Sequence, residues 1–196
     1  MNKRVEERKD VELECYVRNK AAYSVIWMFE NQLISLDGTV IRPDPNIKLD
    51  TDLITKFNLR LAHVSEKYKG SYKCQISTMT AQNLEYDLDV LVAPTVQRSP
   101  SQEVITLNQG ETLRVQCLAT GNPEPKLTWS KRGDKAEHTT IDETKSELIM
   151  EDVDQTHADT YSCTANNDIG NPVTSEFKVL VKCKLFNINL KECNKS

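Results

Sequence analysis

Apolar and polar residues alternate with a period of two along most of this chain, in short runs separated by Gly, Pro, Asn and Asp. That pattern predicts an all-β protein. Val11, Leu13 and Cys15 alternate with charged residues, as in a half-buried strand. From Tyr23 to Phe29 the side chains of Val25, Trp27 and Phe29 point one way, and those of Ile26 and Met28 the other. The second row is unusual, because a solvated sheet face carries polar residues. Asn31 and Gln32 read as a turn, Leu33 to Leu36 as a short strand, and Asp37-Gly38 as another turn. Phe57, Leu59 and Leu61 alternate next, followed by strands over Ser71 to Ser77 and Leu84 to Val92. Ala93-Pro94-Thr95 forms a short, stiff junction. Beyond it, Gly121 to Pro125 turns the chain, Leu148, Met150 and Val153 give a strand and its corner, and Asn166 to Gly170 reads as a hairpin turn. The alternation stops after Val181, so Lys182 to Ser196, with Cys183 and Cys193, reads as an irregular tail.

Cysteines and aromatics repeat within this pattern. Cys15, Trp27 and Cys74 form one frame and Cys117, Trp129 and Cys163 a second, with each tryptophan at the same offset from its first cysteine. Tyr72 and Tyr161 stand two residues before the second cysteine of each frame. The arrangement resembles the immunoglobulin sandwich. The resemblance implies Cys15–Cys74 and Cys117–Cys163 bridges between sheets, with Trp27, Trp129, Tyr72 and Tyr161 as core residues around them. The expected fold is therefore two tandem immunoglobulin-like β-sandwiches, the first V-like and the second I-set. The wider spacing of the first cysteine pair leaves room for extra edge strands there, whereas the narrower second spacing leaves none. The boundaries are residues 1–93 (first strand truncated), 94–182 and the tail 183–196.

Composition narrows the function classes. Twenty-five basic and 29 acidic residues are interspersed for a net charge of −4, so nothing points to nucleic acid or a membrane surface. Lys3, Arg4, Arg8 and Lys9, with Glu6 and Glu7 among them, read as a solvated arm. Six cysteines fit an oxidising compartment. Six free or metal-binding thiols are the alternative, yet there is no Cys-x-x-Cys pair, and His63, His138 and His157 flank no cysteine at zinc-site spacing. No metal or cofactor is expected. Cys183 and Cys193 either bond to each other, bond to another molecule, or belong to a misread end. The sequon at Asn194 lies at the terminus. No signal-peptide core and no membrane-spanning run is visible, so export and anchoring have to come from outside this sequence.

Finer motifs extend the resemblance over about residues 10 to 181. Ala119, Gly121, Pro123, Pro125, Leu127, Trp129 and Lys131, with Tyr161, Cys163, Ala165, Asn167 and Gly170, resemble I-set domains of neural cell-adhesion molecules. Leu33-Ile34-Ser35-Leu36, Val40-Ile41, Pro45, Ile47, Leu49 and Cys74-Gln75-Ile76 resemble the first domain of lachesin, amalgam, the Dpr-interacting proteins and the IgLON group. Two positions depart from that pattern. An Asp that pairs in the family with an Arg is Tyr68 here, and the matching Arg position is Asn46, so both ion-pair partners are absent together. In the second domain the motif Gly is Asp159, so that turn has to avoid positive φ.

The resemblance implies a binding face on the outer side of strands C, C′, F and G of the first domain. On the strand phasing it carries Ile26, Met28, either Ile34 or Leu36, then Gln75, Ser77 and Met79, ringed by Lys73, Gln75 and Asn31. Coverage of Ile26 and Met28 by a longer loop of the same molecule is the alternative. The expected partner is another immunoglobulin-superfamily ectodomain, homophilic or heterophilic, and the expected role is extracellular recognition or adhesion. A soluble secreted protein that captures a hormone, growth factor or microbial ligand is the other reading. No small-molecule substrate is expected. An enzyme is disfavoured, because there is no nucleophile elbow, phosphate-binding loop or His-x-x-x-His spacing, and His157 near Asp154 and Asp159 reads as a surface turn residue.

Overall fold

A computed structural model describes residues 1–78, 82–132, 138–142, 146–183 and 191–192, with 138–142, 183 and 191–192 described by their backbone path alone. The chain divides into two compact units, Met1–Val92 and Ala93–Ser196.

In the first unit the strands are β1 (Asn2–Glu6), β2 (Val11–Leu13), β3 (Val25–Phe29), β4 (Gln32–Leu36), β5 (Thr39–Val40), β6 (Ile47–Thr51), β7 (Phe57–Leu61), β8 (Gly70–Ile76) and β9 (Gln82–Ser99), of which residues 82–92 belong here. One layer runs β5-β4-β3-β8-β9, with β1 on the far side of β9, and the other runs β2-β7-β6. The alternation read from sequence is what builds these layers: Leu13, Val25, Trp27, Leu59, Leu61, Tyr72 and Leu88 all face the shared core and are buried. Cys15 and Cys74 are bonded across it. Trp27 packs at 6.2 Å from the Tyr86 ring, and its indole N–H donates to the Phe57 carbonyl at 2.6 Å. The Tyr72 hydroxyl donates to the Tyr68 carbonyl at 2.8 Å, closing the corner before β8, and burial raises its pKa.

The start of the chain differs from the sequence reading. A regular strand fits before Cys15: β1 pairs in parallel with β9 from Asn2 opposite Asp87 to Glu6 opposite Leu91. Of the basic residues taken for a solvated arm, Lys3 and Arg4 are therefore strand residues, with Arg4 3.9 Å from Asp89, which also binds Lys69 at 2.9 Å, while Arg8 and Lys9 lie in the turn after β1. Mixed charge there decorates a sheet edge.

The missing ion pair is replaced. Asp44 accepts hydrogen bonds from the Tyr68 hydroxyl at 2.9 and 3.0 Å and from Lys67 at 3.1 Å, and its carboxylate also takes the Asn46 N–H. Burial of the Asp44 carboxyl raises its pKa, but the Asn46 N–H, Lys67 and Tyr68 together outweigh it and hold the group below its ordinary value. Gly70 next to this corner has φ +148°, and a Cβ there would overlap the Glu30 carboxylate and approach Phe29 to 2.8 Å, so this position requires glycine.

In the second unit, after the end of β9, come β10 (Val104–Asn108), β11 (Leu113–Asn122), β12 (Lys126–Arg132), β13 (His138–Asp142), β14 (Glu147–Met150), β15 (Thr160–Asn166), β16 (Val173–Cys183) and β17 (Lys191–Glu192). One sheet runs β10-β16-β15-β12-β13, and β11 pairs with β14 in the facing layer. Cys117 and Cys163 are bonded, and Trp129 and Tyr161 pack on Phe177 at 6.4 and 5.7 Å. The Tyr161 hydroxyl donates to the His157 carbonyl at 3.0 Å, and burial pushes its pKa up to about 12. Asp159, at the motif's glycine position, is not among the residues with positive φ.

Two expectations change here. An edge strand does fit: β13 pairs antiparallel with β12, Trp129 opposite Asp142 and Ser130 opposite Thr140, with a bulge at the extra β13 residue between those two. The tail is not wholly irregular either, because β17 pairs with β16, Lys182 opposite Glu192 and Cys183 opposite Lys191. Cys193 and the Asn194 sequon lie outside the described residues, as does the question of a Cys183–Cys193 bond. His157 caps a short turn: Asp154 N–H donates to its Nδ1 at 3.1 Å.

Candidate protein-binding face

The outer face of β3, β4, β8 and β9 is set by one irregularity. Ile26 faces Leu36 and Trp27 faces Ser35, but Met28 faces Leu33, so Ile34 is an extra residue in β4 opposite the Trp27/Met28 step. Such a bulge shifts the alternation by one position. Leu33 and Leu36 therefore both point outward, 44% and 42% exposed, while Ile34 and Ser35 between them are fully buried. Ile34 is thus corrected from a face residue to a core residue. Leu33 joins the face instead, and simple alternation along a four-residue strand could not have revealed it.

Ile26, Met28, Leu33 and Leu36 form an apolar patch across two strands, with Ile26 and Met28 half-buried. On the other side, Gln75 faces Ile26 and Lys73 faces Met28. Lys73 reaches across to Glu85 on β9 at 2.9 Å, so its charge is met within the face. Gln75 is half-buried beside Asn83. Ser77 is exposed just past β8, its N–H donating to the Ser24 carbonyl at 2.9 Å. Met79 lies outside the described residues. At the opposite end Glu30 and Asn31, with φ 47° and 64°, make the β3–β4 turn, one residue earlier than the sequence pattern placed it. The turn at Asp37-Gly38 is anchored by Asp37, which accepts the Val25 N–H at 3.0 Å and binds Lys20 at 3.2 Å. That N–H bond, followed by Lys20 and opposed by burial, keeps the Asp37 carboxyl below its ordinary pKa.

Both layers, both bridges and both tyrosine corners are those of an immunoglobulin sandwich, and residues 93–167 match the immunoglobulin domain family model. The fold is that of two tandem immunoglobulin-like β-sandwiches. A solved structure of Dpr11 IG1 bound to DIP-gamma IG+IG2 superposes with the tandem at a TM-score of 0.79 and 25% identity, covering 92% of this chain and 94% of that one. Chicken (Gallus gallus) neuronal growth regulator 1 is 28% identical over 170 residues, or 86% of this chain and 47% of its own length. Rat (Rattus norvegicus) neural cell adhesion molecule 1 is 28% identical over 192 residues, 91% of this chain and 21% of its own. The tandem resembles immunoglobulin-superfamily cell-adhesion proteins, and spans less than half the length of these two relatives. Among the described residues, no helix is long and apolar enough to cross a membrane, and no cluster of acidic, His or Cys side chains is arranged to hold a metal ion.

Proposed function

We propose that this tandem is an extracellular recognition module whose first domain binds another immunoglobulin ectodomain, its own copy or a relative's, through the outer face of β3, β4, β8 and β9. The observation that carries the reading is the exposed pair Leu33 and Leu36 beside Ile26 and Met28, held outward by the β4 bulge. Aliphatic side chains grouped at the centre of a sheet face, with polar residues around them, match the build of a protein interface. The similar solved structure of Dpr11 IG1 bound to DIP-gamma IG+IG2 is a complex between immunoglobulin domains, which supports the same class of partner. The second domain, on this reading, is a spacer. Two disulfides support an extracellular setting, anchored or secreted.

The test is binding of the purified chain to a panel of immobilised immunoglobulin ectodomains that includes the chain itself. Ile26→Lys with Met28→Lys is expected to abolish the binding found with the native chain. Lys48→Glu, an exposed position on β6 in the other layer, is expected to leave it unchanged. Full binding by the Ile26/Met28 variant would remove the face from the account.

A further inference from the structure

The two bridges have differently built surroundings. Cys117 lies inside β11 and Cys163 inside β15, and both are 0% exposed. Cys74 likewise lies inside β8, but Cys15 falls two residues past the end of β2. The Cys15 N–H is held by the Asn58 side chain, at 2.9 Å, in place of a facing backbone carbonyl. From Cys15 on, the strand contact is a single isolated bridge between Tyr16 and Lys56, made by the Phe57 N–H donating to the Cys15 carbonyl and the Val17 N–H donating to the Thr55 carbonyl, both at 2.8 Å. A surface depression bordered by Tyr16, Val17, Ile76, Gln82 and Leu84 has both Cys15 and Cys74 in its wall, and the two keep 4% and 2% exposure. Local opening needs least free energy where ladder bonds are few, and a buried disulfide in the wall of a depression needs only such an opening to meet a thiol.

We propose that Cys15–Cys74 is a redox-labile bridge, opened by a dithiol entering this depression while Cys117–Cys163 stays closed. The incoming thiolate sulfur bonds to the sulfur of Cys15 as the Cys15–Cys74 bond breaks, and Cys74 leaves as a thiolate. The second thiol of the reagent, once deprotonated, attacks the mixed disulfide. The reagent closes into its own disulfide and Cys15 is released. Two electrons pass from the dithiol to the bridge, and the two protons the dithiol gives up end on Cys15 and Cys74. Opening unclamps β8, which carries part of the outer face, from the opposite layer, so the switch would act on the first domain alone. The proposal stands whether or not that face binds a partner.

The intact oxidised chain is incubated with dithiothreitol at several concentrations, without denaturant and in low urea, then alkylated and mapped by peptide mass spectrometry. Cys15 and Cys74 are expected to be labelled at least tenfold sooner than Cys117 and Cys163, at a rate flat in low urea. Gln82→Trp, at the rim of the depression, should slow the first pair and leave the second unchanged. Equal labelling of both pairs, or earlier labelling of Cys117 and Cys163, overturns the proposal. So does a rate for Cys15 and Cys74 that climbs with urea as steeply as global unfolding, because the bridge would then open only in the unfolded chain. The order of labelling and its urea dependence decide the matter even if Gln82→Trp fails to fold.

Discussion

Asp44 and Tyr68 show how one exchange of side chains keeps a corner intact. A hydroxyl donating to a carboxylate does here what an ion pair does in the resembling family, with Lys67 adding charge from the surface. Hydrogen bonds to charged groups are worth more than neutral ones, so Tyr68→Phe is expected to cost the chain about 2 kcal/mol in urea unfolding at pH 7. The sign of the pH dependence follows from the lowered Asp44 pKa. The stability it contributes is complete above the unfolded carboxyl's pKa and is lost as pH falls through the lower folded value. The penalty of Tyr68→Phe should therefore shrink when unfolding is measured in acid; an equal penalty at both pH values would show that the hydroxyl acts by packing alone. Ser35 makes the opposite case: its buried hydroxyl has no hydrogen-bond partner among the described residues. Ser35→Ala should leave stability unchanged or raise it by up to about 1 kcal/mol, and a clear loss would reveal a partner. Sequence showed that the motif's Asp had become Tyr68. It did not show that Asp44 would meet it, since that contact joins loops 24 positions apart.

At the scale of elements, the bulge in β4 decides what the first domain presents. Without it, Leu33 and Ser35 would share one side and Ile34 and Leu36 the other. With it, both leucines face out and the Ile34–Ser35 pair faces in. The row of Ile26 and Met28 was legible because β3 alternates cleanly, whereas in β4 the pattern left Ile34 and Leu36 as alternatives and missed Leu33, because a bulge is a property of pairing and leaves no mark in so short a run. The face also carries its own charge balance, Lys73 against Glu85. Association through it should accordingly depend little on ionic strength, with affinity changing less than about threefold between 50 and 500 mM salt. A steep loss of affinity with salt would place the contact on charged surfaces elsewhere, such as the Arg4, Lys69 and Asp89 cluster.

For the whole molecule, the repeated cysteine, tryptophan and tyrosine positions were enough to read two sandwiches, because bridge, indole and corner hydroxyl constrain one another in space. What pattern reading missed depends on neighbours distant in sequence. Strand β1 is held by β9 some 85 positions on. Arg98, whose guanidinium lies 4.7 Å from the Phe177 ring and donates to the carbonyls of Pro100, Ser101 and Gln102, carried no signal in sequence. The central claim is that a bulge-built aliphatic patch on the first domain docks an immunoglobulin ectodomain. Leu33→Asp tests it most directly, since a charge at the centre of a desolvated contact costs several kcal/mol and a surface charge costs the free domain little. Measured by surface binding against the ectodomain that the native chain recognises, the variant should lose about a hundredfold or more in affinity with its unfolding midpoint unchanged. Native affinity in a folded Leu33→Asp chain would contradict the account.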